Sequence, residues 1–300
     1  MLRRSTYFAS GERSTARGLT LVELVVTIVV MGIIAGGTTA YIMSSTQSYV
    51  DTATRNRLSG IARLTTLRLE RELGNAVPNS IRTRSAGGEA CVEFFPIEDV
   101  TRYISVNVGG LDTSLTAIPF ARGTELSARV ATTVAAGGSM PLYPVIYPTD
   151  AAALYEGNTL GPRATTPAYS ASVNSGVETL SFTSHQFNVG TVRQRLYLAS
   201  DPVSFCLVGS KMFRYKNYGV RQDTGQLQCL PSTDNCLPKT RPNRSVVSDE
   251  IVNANAGILE AFEFSPGDLQ SYGMVRVNLN FSDGSENFEI HHEIQVSSAP

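Results

Sequence analysis

The chain has 300 residues, with 25 basic and 26 acidic side chains and a formal net charge of −1 at pH 7. This balance provides no overall attraction to nucleic acid or to an acidic surface, so the strongly basic binding classes are excluded. Length alone allows about two domains, although a single β-rich domain also reaches this size. Apolar and charged residues are very unevenly distributed near the N-terminus, and this local pattern is the most informative feature.

A basic segment precedes a long apolar segment. Residues 1–17 contain four arginines and one glutamate, whereas residues 19–43 are almost wholly apolar. A helix rises about 1.5 Å per residue, so the apolar segment spans roughly 37 Å and exceeds the ~30 Å hydrocarbon core of a bilayer. The basic flank predicts a cytoplasmic N-terminus and a single-pass helix, with the rest of the chain on the far side of the membrane.

Three other interpretations of the apolar segment compete with this one. A cleaved secretory signal has an apolar core of about 7–15 residues before a small-x-small site; Thr38 and Ala40 loosely provide that site, but the run is longer and contains Glu23. A buried core helix leaves the basic flank unexplained. A plain single-pass anchor fits the length but not Glu23, because a carboxylate in hydrocarbon costs about 2.5–3.5 kcal/mol.

The position of Glu23 suggests a function for its carboxylate. It lies five residues after Gly18. Cleavage between Gly18 and Leu19 would create an α-amino group in the same low-dielectric layer. An amine and a carboxylate there can pair between neighbouring subunits, each offsetting the other's loss of solvation. We therefore expect Glu23 to act in subunit docking.

The segment RGLTLVE at residues 17–23 resembles the prepilin peptidase recognition motif of type IV pilins and type II secretion pseudopilins. The resemblance implies a leader at residues 1–18, cleavage after Gly18, N-methylation of Leu19, and docking through Glu23. The family usually has Phe where this chain has Leu19. Implied partners are the prepilin peptidase, other major and minor pilins, the inner-membrane assembly platform and membrane lipid; no nucleic acid and no cofactor is expected. The implied location is the bacterial inner membrane and then a pilus.

An amphipathic segment continues the helix over residues 44–78. Apolar and small residues recur there at steps of three and four, which predicts that one face packs on a domain while interleaved charges form a solvated face. The stripe consists of Val50, Ala53, Leu58, Ile61, Ala62, Thr65, Leu69, Leu73 and Ala76. Pro78 marks the expected end, because the residue before a proline disfavours helix.

From about residue 90 the hydrophobic period changes from 3.6 to 2, which predicts β-strands. The expected strands are residues 90–95 and 193–199, a hairpin of residues 203–208 and 212–215, and a terminal hairpin of residues 275–281 and 288–296. The apolar face of the terminal hairpin should pack on the amphipathic half of the helix. The predicted fold class is therefore α+β and pilin-like: a long N-terminal helix on an antiparallel sheet, with residues 79–300 as a periplasmic β-rich domain. Residues 109–176 show little periodicity and are expected to form an irregular insertion.

Four cysteines in an oxidising periplasm suggest disulfides, and four cysteines allow three connectivities. The positions favour Cys229 with Cys236, which close a short loop, and Cys91 with Cys206, which both lie in predicted strands. The spacings do not match a zinc site with closely paired ligands.

One cluster resembles a metal or acid–base site: Glu289, His291, His292 and Glu293. On a strand, three of these side chains would share the exposed face while His292 points inward. This favours a solvated face with one buried histidine over a metal site. The chain also lacks an HExxH helix, a phosphate-binding glycine loop and a G-x-S-x-G elbow. The sequence therefore favours a structural protein, and no catalytic or metal-binding residue is assigned.

Two further segments resemble minor pilins of the mannose-sensitive haemagglutinin (MSHA) pilus system: residues 49–80, and residues 201–208 together with the ending 292–296. This resemblance implies a role in initiating or assembling a type IV pilus used for attachment. A J-class minor pseudopilin of type II secretion shares the helix features and is one alternative. A ligand-binding tip adhesin, with residues 109–176 as its contact surface, is another.

Overall fold

The computed structural model describes residues 18, 20–221, 229–231, 237–253, 260–267 and 272–297. The chain divides into two compact units, Met1–Ala53 and Thr54–Pro300. A long N-terminal helix is followed by largely antiparallel sheets, which confirms the predicted α+β class.

The described part of the first unit is almost entirely helical. Helix α1 spans Leu21–Leu73, and all described side chains before residue 51 are exposed. Its threonine hydroxyls donate hydrogen bonds to carbonyls one turn earlier, as from Thr39 to Ala35 and from Thr46 to Ile42, both at 2.8 Å. Such bonds satisfy the hydroxyl groups without water, as a hydrocarbon environment requires.

Helix α1 ends at Leu73, five residues before the expected boundary at Pro78. The N–H of Asn75 bonds to the carbonyl of Glu72, and that of Ala76 to Leu73, so the last turn tightens to a three-residue step. At Gly74, a Cβ would lie 2.9 Å from the carbonyl oxygen of Glu70, and only glycine avoids this contact. Gly74 directly follows the last helical residue, and glycine is a poor helix former, so the sequence holds an earlier end signal than Pro78.

In the described part of the second unit, two further helices and fifteen strands follow. The helices are α2 (Gly123–Ala135) and α3 (Ala151–Tyr155). The strands are β1 Arg82–Ala86, β2 Glu89–Phe94, β3 Ile97–Ser105, β4 Asp112–Ala117, β5 Tyr143–Val145, β6 Leu160–Gly161, β7 Val173–Asn174, β8 Val177–Phe187, β9 Arg195–Ala199, β10 Val203–Val208, β11 Lys211–Tyr215, β12 Arg244–Ser248, β13 Phe262–Ser265, β14 Gly273–Ser282 and β15 Asn287–Val296.

Two antiparallel sheets enclose the C-terminal half of α1. One has the order β1-β2-β10-β11-β12 and the other β13-β14-β15. The predicted terminal hairpin is present as β14 and β15, in register from Gly273 opposite Val296 to Ser282 opposite Asn287. Leu58 and Leu69 of α1 share one buried core with Phe205 of β10 and Phe281 of β14. The expected packing of the hairpin's apolar face on the amphipathic helix is thus observed.

Residues 97–199 form a separate layer of structure, here called the inserted module. Strands β3–β9 form a sheet of order β5-β9-β3-β4-β8-β6, with β7 paired to β8, and α2 packs beside it. The module has its own core, which includes Leu126, Leu180 and Leu196. It leaves the main sheet after β2 and returns at β10, and these two strands are neighbours. Residues 109–176, expected to be irregular, therefore lie within an ordered module of helices and largely antiparallel strands, with wider boundaries.

A buried ion pair lies where the module packs on the main sheet. Arg82 of β1 donates to Glu93 of β2 at 2.5 Å, and both side chains are almost completely buried. Tyr218 donates to the other carboxylate oxygen of Glu93 at 2.7 Å. The guanidinium of Arg82 stacks 3.5 Å above the ring of Tyr155 in α3, which links the pair to the inserted module.

Candidate processing and docking site

The expected cleavage position lies outside the helix. Gly18 is exposed and has no regular secondary structure, and α1 begins at Leu21. Leu19 lies outside the described residues. A Cβ added to Gly18 would meet no atom within 4 Å, so the local fold does not require glycine at this position.

Thr20 and Glu23 form the start of α1. The backbone N–H of Glu23 donates to the Thr20 hydroxyl at 3.3 Å, and the N–H of Leu24 donates to the Thr20 carbonyl at 3.1 Å. Thr20 is thus the N-cap and Glu23 the third helical residue, the T-x-x-E arrangement of a capping box. The positive end of the helix dipole also favours a carboxylate in the first turn. The T-x-x-E pattern is visible in the sequence, where only a docking role was predicted for Glu23.

The environment of Glu23 is apolar. Leu21, Val22 and Leu24 beside it are all exposed, and helix α1 is, among the described residues, the one helix long and apolar enough to cross a membrane. Within the described ranges, Glu23 forms no ion pair.

Charged residues of the C-terminal half of α1 make defined contacts. Arg57 donates to Glu250 at 2.7 Å and to Asp283 at 3.4 Å, and Glu72 accepts from Arg214 at 2.6 Å. Asp283 also accepts from the backbone N–H and hydroxyl of Ser285, and these hydrogen bonds lower its pKa to about 2. The face expected to be merely solvated therefore fastens the helix to the sheets of the second unit.

The cluster on β15 lies as the strand alternation predicted. Glu289, His291 and Glu293 are exposed, whereas His292 turns toward α1, where its Nε2 lies 3.8 Å from the carboxylate of Glu70. His291 is held by Asn278 at 2.9 Å and lies 3.3 Å from Glu289. Among the described residues, no group of three or more His, Cys, Asp or Glu side chains is arranged to hold a metal ion.

A disulfide joins Cys91 of β2 to Cys206 of β10. The two residues are directly opposite in the antiparallel pair, with their Cα atoms 4.1 Å apart. This is one of the two pairs that the sequence favoured. Cys229 is buried, but Cys236 lies outside the described residues, so their pairing stays a prediction.

Comparison with known proteins supports the N-terminal motif. Residues 13–39 match the family model of the prokaryotic N-terminal methylation motif. No curated protein and no solved structure matches the chain. The matched residues include Gly18, the Thr20–Glu23 cap and the first part of α1. Processing by prepilin peptidase and assembly with other pilins follow from this motif. The match and the helix together support a prepilin signal of the type IV pilin or pseudopilin kind, followed by an N-terminal apolar helix long enough to anchor the chain in a membrane.

Proposed function

We propose that the protein is a minor pilin, similar to MshO, that helps to initiate and assemble an MSHA-type type IV pilus used for attachment. Prepilin peptidase cleaves after Gly18, and Leu19 becomes the methylated N-terminus. The leader is cytoplasmic, and the second unit is periplasmic before it enters the filament. The observation that carries the proposal is Glu23: a carboxylate in the first turn of an exposed apolar helix, within the matched methylation motif.

Energetics support a docking role for Glu23. Leaving this carboxylate alone in hydrocarbon costs about 2.5–3.5 kcal/mol. The cap contact uses the Thr20 hydroxyl and the backbone of Glu23, so it leaves the carboxylate oxygens available. The α-amino group of a neighbouring subunit, created by cleavage after Gly18, carries the opposite charge in the same layer. Pairing the two groups removes an uncompensated charge from each subunit.

The inserted module supports the assignment as a minor subunit. Major pilins are usually much smaller than 300 residues, and residues 97–199 add an ordered module to the pilin-like arrangement of helix and sheet. A bulky addition of this kind fits a subunit present in few copies.

Substitution of Gly18 by alanine tests the processing step. Because a Cβ at Gly18 meets no neighbour, the variant should fold normally and yet remain uncleaved. Mass spectrometry of the N-terminus would then find the leader retained in the variant and a methylated Leu19 in the wild type. Gly60→Ala is the matched control, since Gly60 also has open space around it but lies far from the motif. Identical mature N-termini in the wild type and Gly18→Ala would contradict the proposal.

Two variants separate docking from helix capping. Glu23→Gln removes the charge, and we expect a cleaved protein that enters pili poorly. Thr20→Ala removes the cap hydroxyl, at a cost of about 1 kcal/mol, but keeps the carboxylate. Immunoblots of sheared pili should therefore show Thr20→Ala but little Glu23→Gln. Equal incorporation of Glu23→Gln would exclude docking through the charge, and equal failure of both variants would assign Glu23 to the cap alone.

Two further tests address the alternatives. Loss of pili with normal protein secretion in a deletion strain supports the pilus assignment, whereas the reverse supports a J-class pseudopilin. The tip-adhesin alternative is favoured by the exposed end of the inserted module. Because β2 and β10 are paired neighbours, an Asn-Gly turn can replace residues 95–202 and keep their register. Normal piliation without attachment in this variant would indicate an adhesin, and loss of pili would indicate an assembly role.

A further inference from the structure

Two loops meet at one end of the inserted module. The first, residues 106–111, connects β3 to β4, and the second, residues 188–194, connects β8 to β9. The hydroxyl of Tyr103 accepts from the N–H of Thr191 and donates to the carbonyl of Thr191 at 3.1 Å. The N–H of Tyr103 donates to the carbonyl of Gln194. Gln186 donates to the carbonyl of Val108 at 3.4 Å. These contacts brace the loops together, and we call the pair the module tip.

The module tip exposes apolar side chains. Val192 is 102% exposed and Leu111 is 61% exposed, and Val108 and Val189 are also exposed. Ile104, in the last part of β3, is exposed as well. Exposed apolar residues that occur singly need no explanation, but four in two adjoining loops and a fifth at the end of β3 indicate a contact surface. A side chain as exposed as Val192 projects outward, so it can enter another phase without a complementary pocket.

Three arginines lie in the same loops and strand ends as these apolar side chains. Arg102 of β3 is directly opposite Arg195 of β9, and Arg193 is exposed two residues before it. Like charges in a cross-strand pair are unfavourable, and no acidic partner is found for these three arginines among the described residues. The one acidic side chain in residues 101–112 and 186–197 is Asp112, whose carboxylate accepts from the backbone N–H groups of Thr113 and Ser114.

We propose that the module tip docks on a phospholipid surface that carries anionic headgroups. The valine and leucine side chains enter the boundary between headgroups and acyl chains, while the arginines contact the phosphates. Long basic side chains suit this role, because their stems lie along apolar material while their charges stay among the headgroups. Anionic lipid also supplies counter-charge to the Arg102–Arg195 pair, for which the described part of the chain holds no acidic partner. This proposal does not depend on the pilus assignment.

Vesicle binding by the full chain tests the proposal. The protein is held by its apolar helix in nanodiscs of neutral phosphatidylcholine and mixed with separate vesicles. Vesicles containing about 30% phosphatidylglycerol should co-sediment with the nanodiscs, whereas pure phosphatidylcholine vesicles should not. Each cation near an anionic membrane contributes about fivefold in affinity. The triple variant Arg102→Gln, Arg193→Gln, Arg195→Gln should therefore lose about a hundredfold, and higher salt should weaken binding by the wild type.

Matched variants distinguish the tip from the rest of the surface. Val192→Ser with Leu111→Ser should abolish binding at full positive charge. Val134→Ser and Arg63→Gln, which alter exposed residues elsewhere, should bind like the wild type. Unchanged circular dichroism melting curves verify folding of each variant. Three results would overturn the proposal. The first is equal binding to neutral and anionic vesicles, and the second is an equal loss of binding in the control variants. The third is competition by a soluble acidic polysaccharide that is as strong as competition by anionic vesicles.

Discussion

Neutralising Glu93 is expected to destabilise the second unit strongly. Glu93→Gln preserves the side-chain volume but leaves Arg82 charged, almost wholly buried and without its carboxylate. The carboxylate also accepts from Tyr218, so the variant weakens a second buried contact. Removing one partner of a buried ion pair costs about 3–5 kcal/mol. For domains of this size a loss of 1 kcal/mol lowers the melting temperature by about 2–4 °C, so we expect a decrease of roughly 10 °C.

A double variant tests whether the cost comes from losing the charge pair between Arg82 and Glu93. In Arg82→Met with Glu93→Leu both charges are replaced by apolar groups, and such replacements are often neutral or stabilising. We expect this variant to recover most of the loss, and a double-mutant cycle completed with the single variants Arg82→Met and Glu93→Leu should give a coupling free energy of about 2 kcal/mol or more. The chain has twelve tyrosines and no tryptophan, so near-ultraviolet circular dichroism of tyrosine follows unfolding of the detergent-solubilised full chain.

Two results would contradict the role of the Arg82–Glu93 pair in stability. A Glu93→Gln variant that unfolds within about 1 kcal/mol of the wild type would show that water or other groups compensate Arg82. A double variant as unstable as Glu93→Gln would show that packing, and not the unpaired charge, causes the loss.

Three other predictions concern stability. Replacing both cysteines of the disulfide, Cys91→Ser with Cys206→Ser, should lower the free energy of unfolding by about 2–5 kcal/mol, because the bond joins two residues 115 positions apart in the chain. Urea titrations should give the same midpoint for this variant as for the wild type under reductant, provided that the Cys229–Cys236 pair contributes little to stability. Hydrogen bonds from Ser285 lower the pKa of Asp283 to about 2. The contribution of this carboxylate to stability is therefore present above its ordinary pKa near 4 and is lost as the pH falls toward 2, so the stability difference between the wild type and Asp283→Asn should shrink over that range. Burial lowers the pKa of His185, whose Nε2 lies 2.9 Å from the Gly161 carbonyl oxygen. Below about pH 6.5 the unfolded chain therefore binds a proton at this residue that the folded chain does not, and the wild type should lose stability as the pH falls. His185→Gln, which does not titrate, should lack that loss.

Local patterns in the sequence predicted much of the fold. The terminal hairpin was predictable because β14 and β15 alternate cleanly around a short Ser-Asp-Gly-Ser turn, and the contact that forms is local. The hairpin of β10 and β11 around Gly209 has the same origin. Glu23 could also be singled out from the sequence, because a charged residue within an apolar segment is recognisable without knowledge of the fold.

Features that depend on distant residues were missed. Arg57 contacts Glu250 across a sequence separation of 193 residues, so its charge looked solvated. The inserted module was missed because its elements are short and its core is shared among them. Helix α2, for example, buries only Gly123, Leu126 and Val130, and it contains several threonines and valines of modest helix propensity. Its stability comes from tertiary contacts that no local period reveals.

The position of the Cys91–Cys206 bond has a mechanical consequence. A partner that pulls on the inserted module applies tension to β2 and β10 at the same end, near Phe94 and Val203. If the module unravels under load, the covalent ring from Cys91 to Cys206 stays closed, and the two strands cannot be peeled apart beyond it. The bond therefore acts as a mechanical stop: the module can extend as a tether while the sheet that packs on α1 is spared.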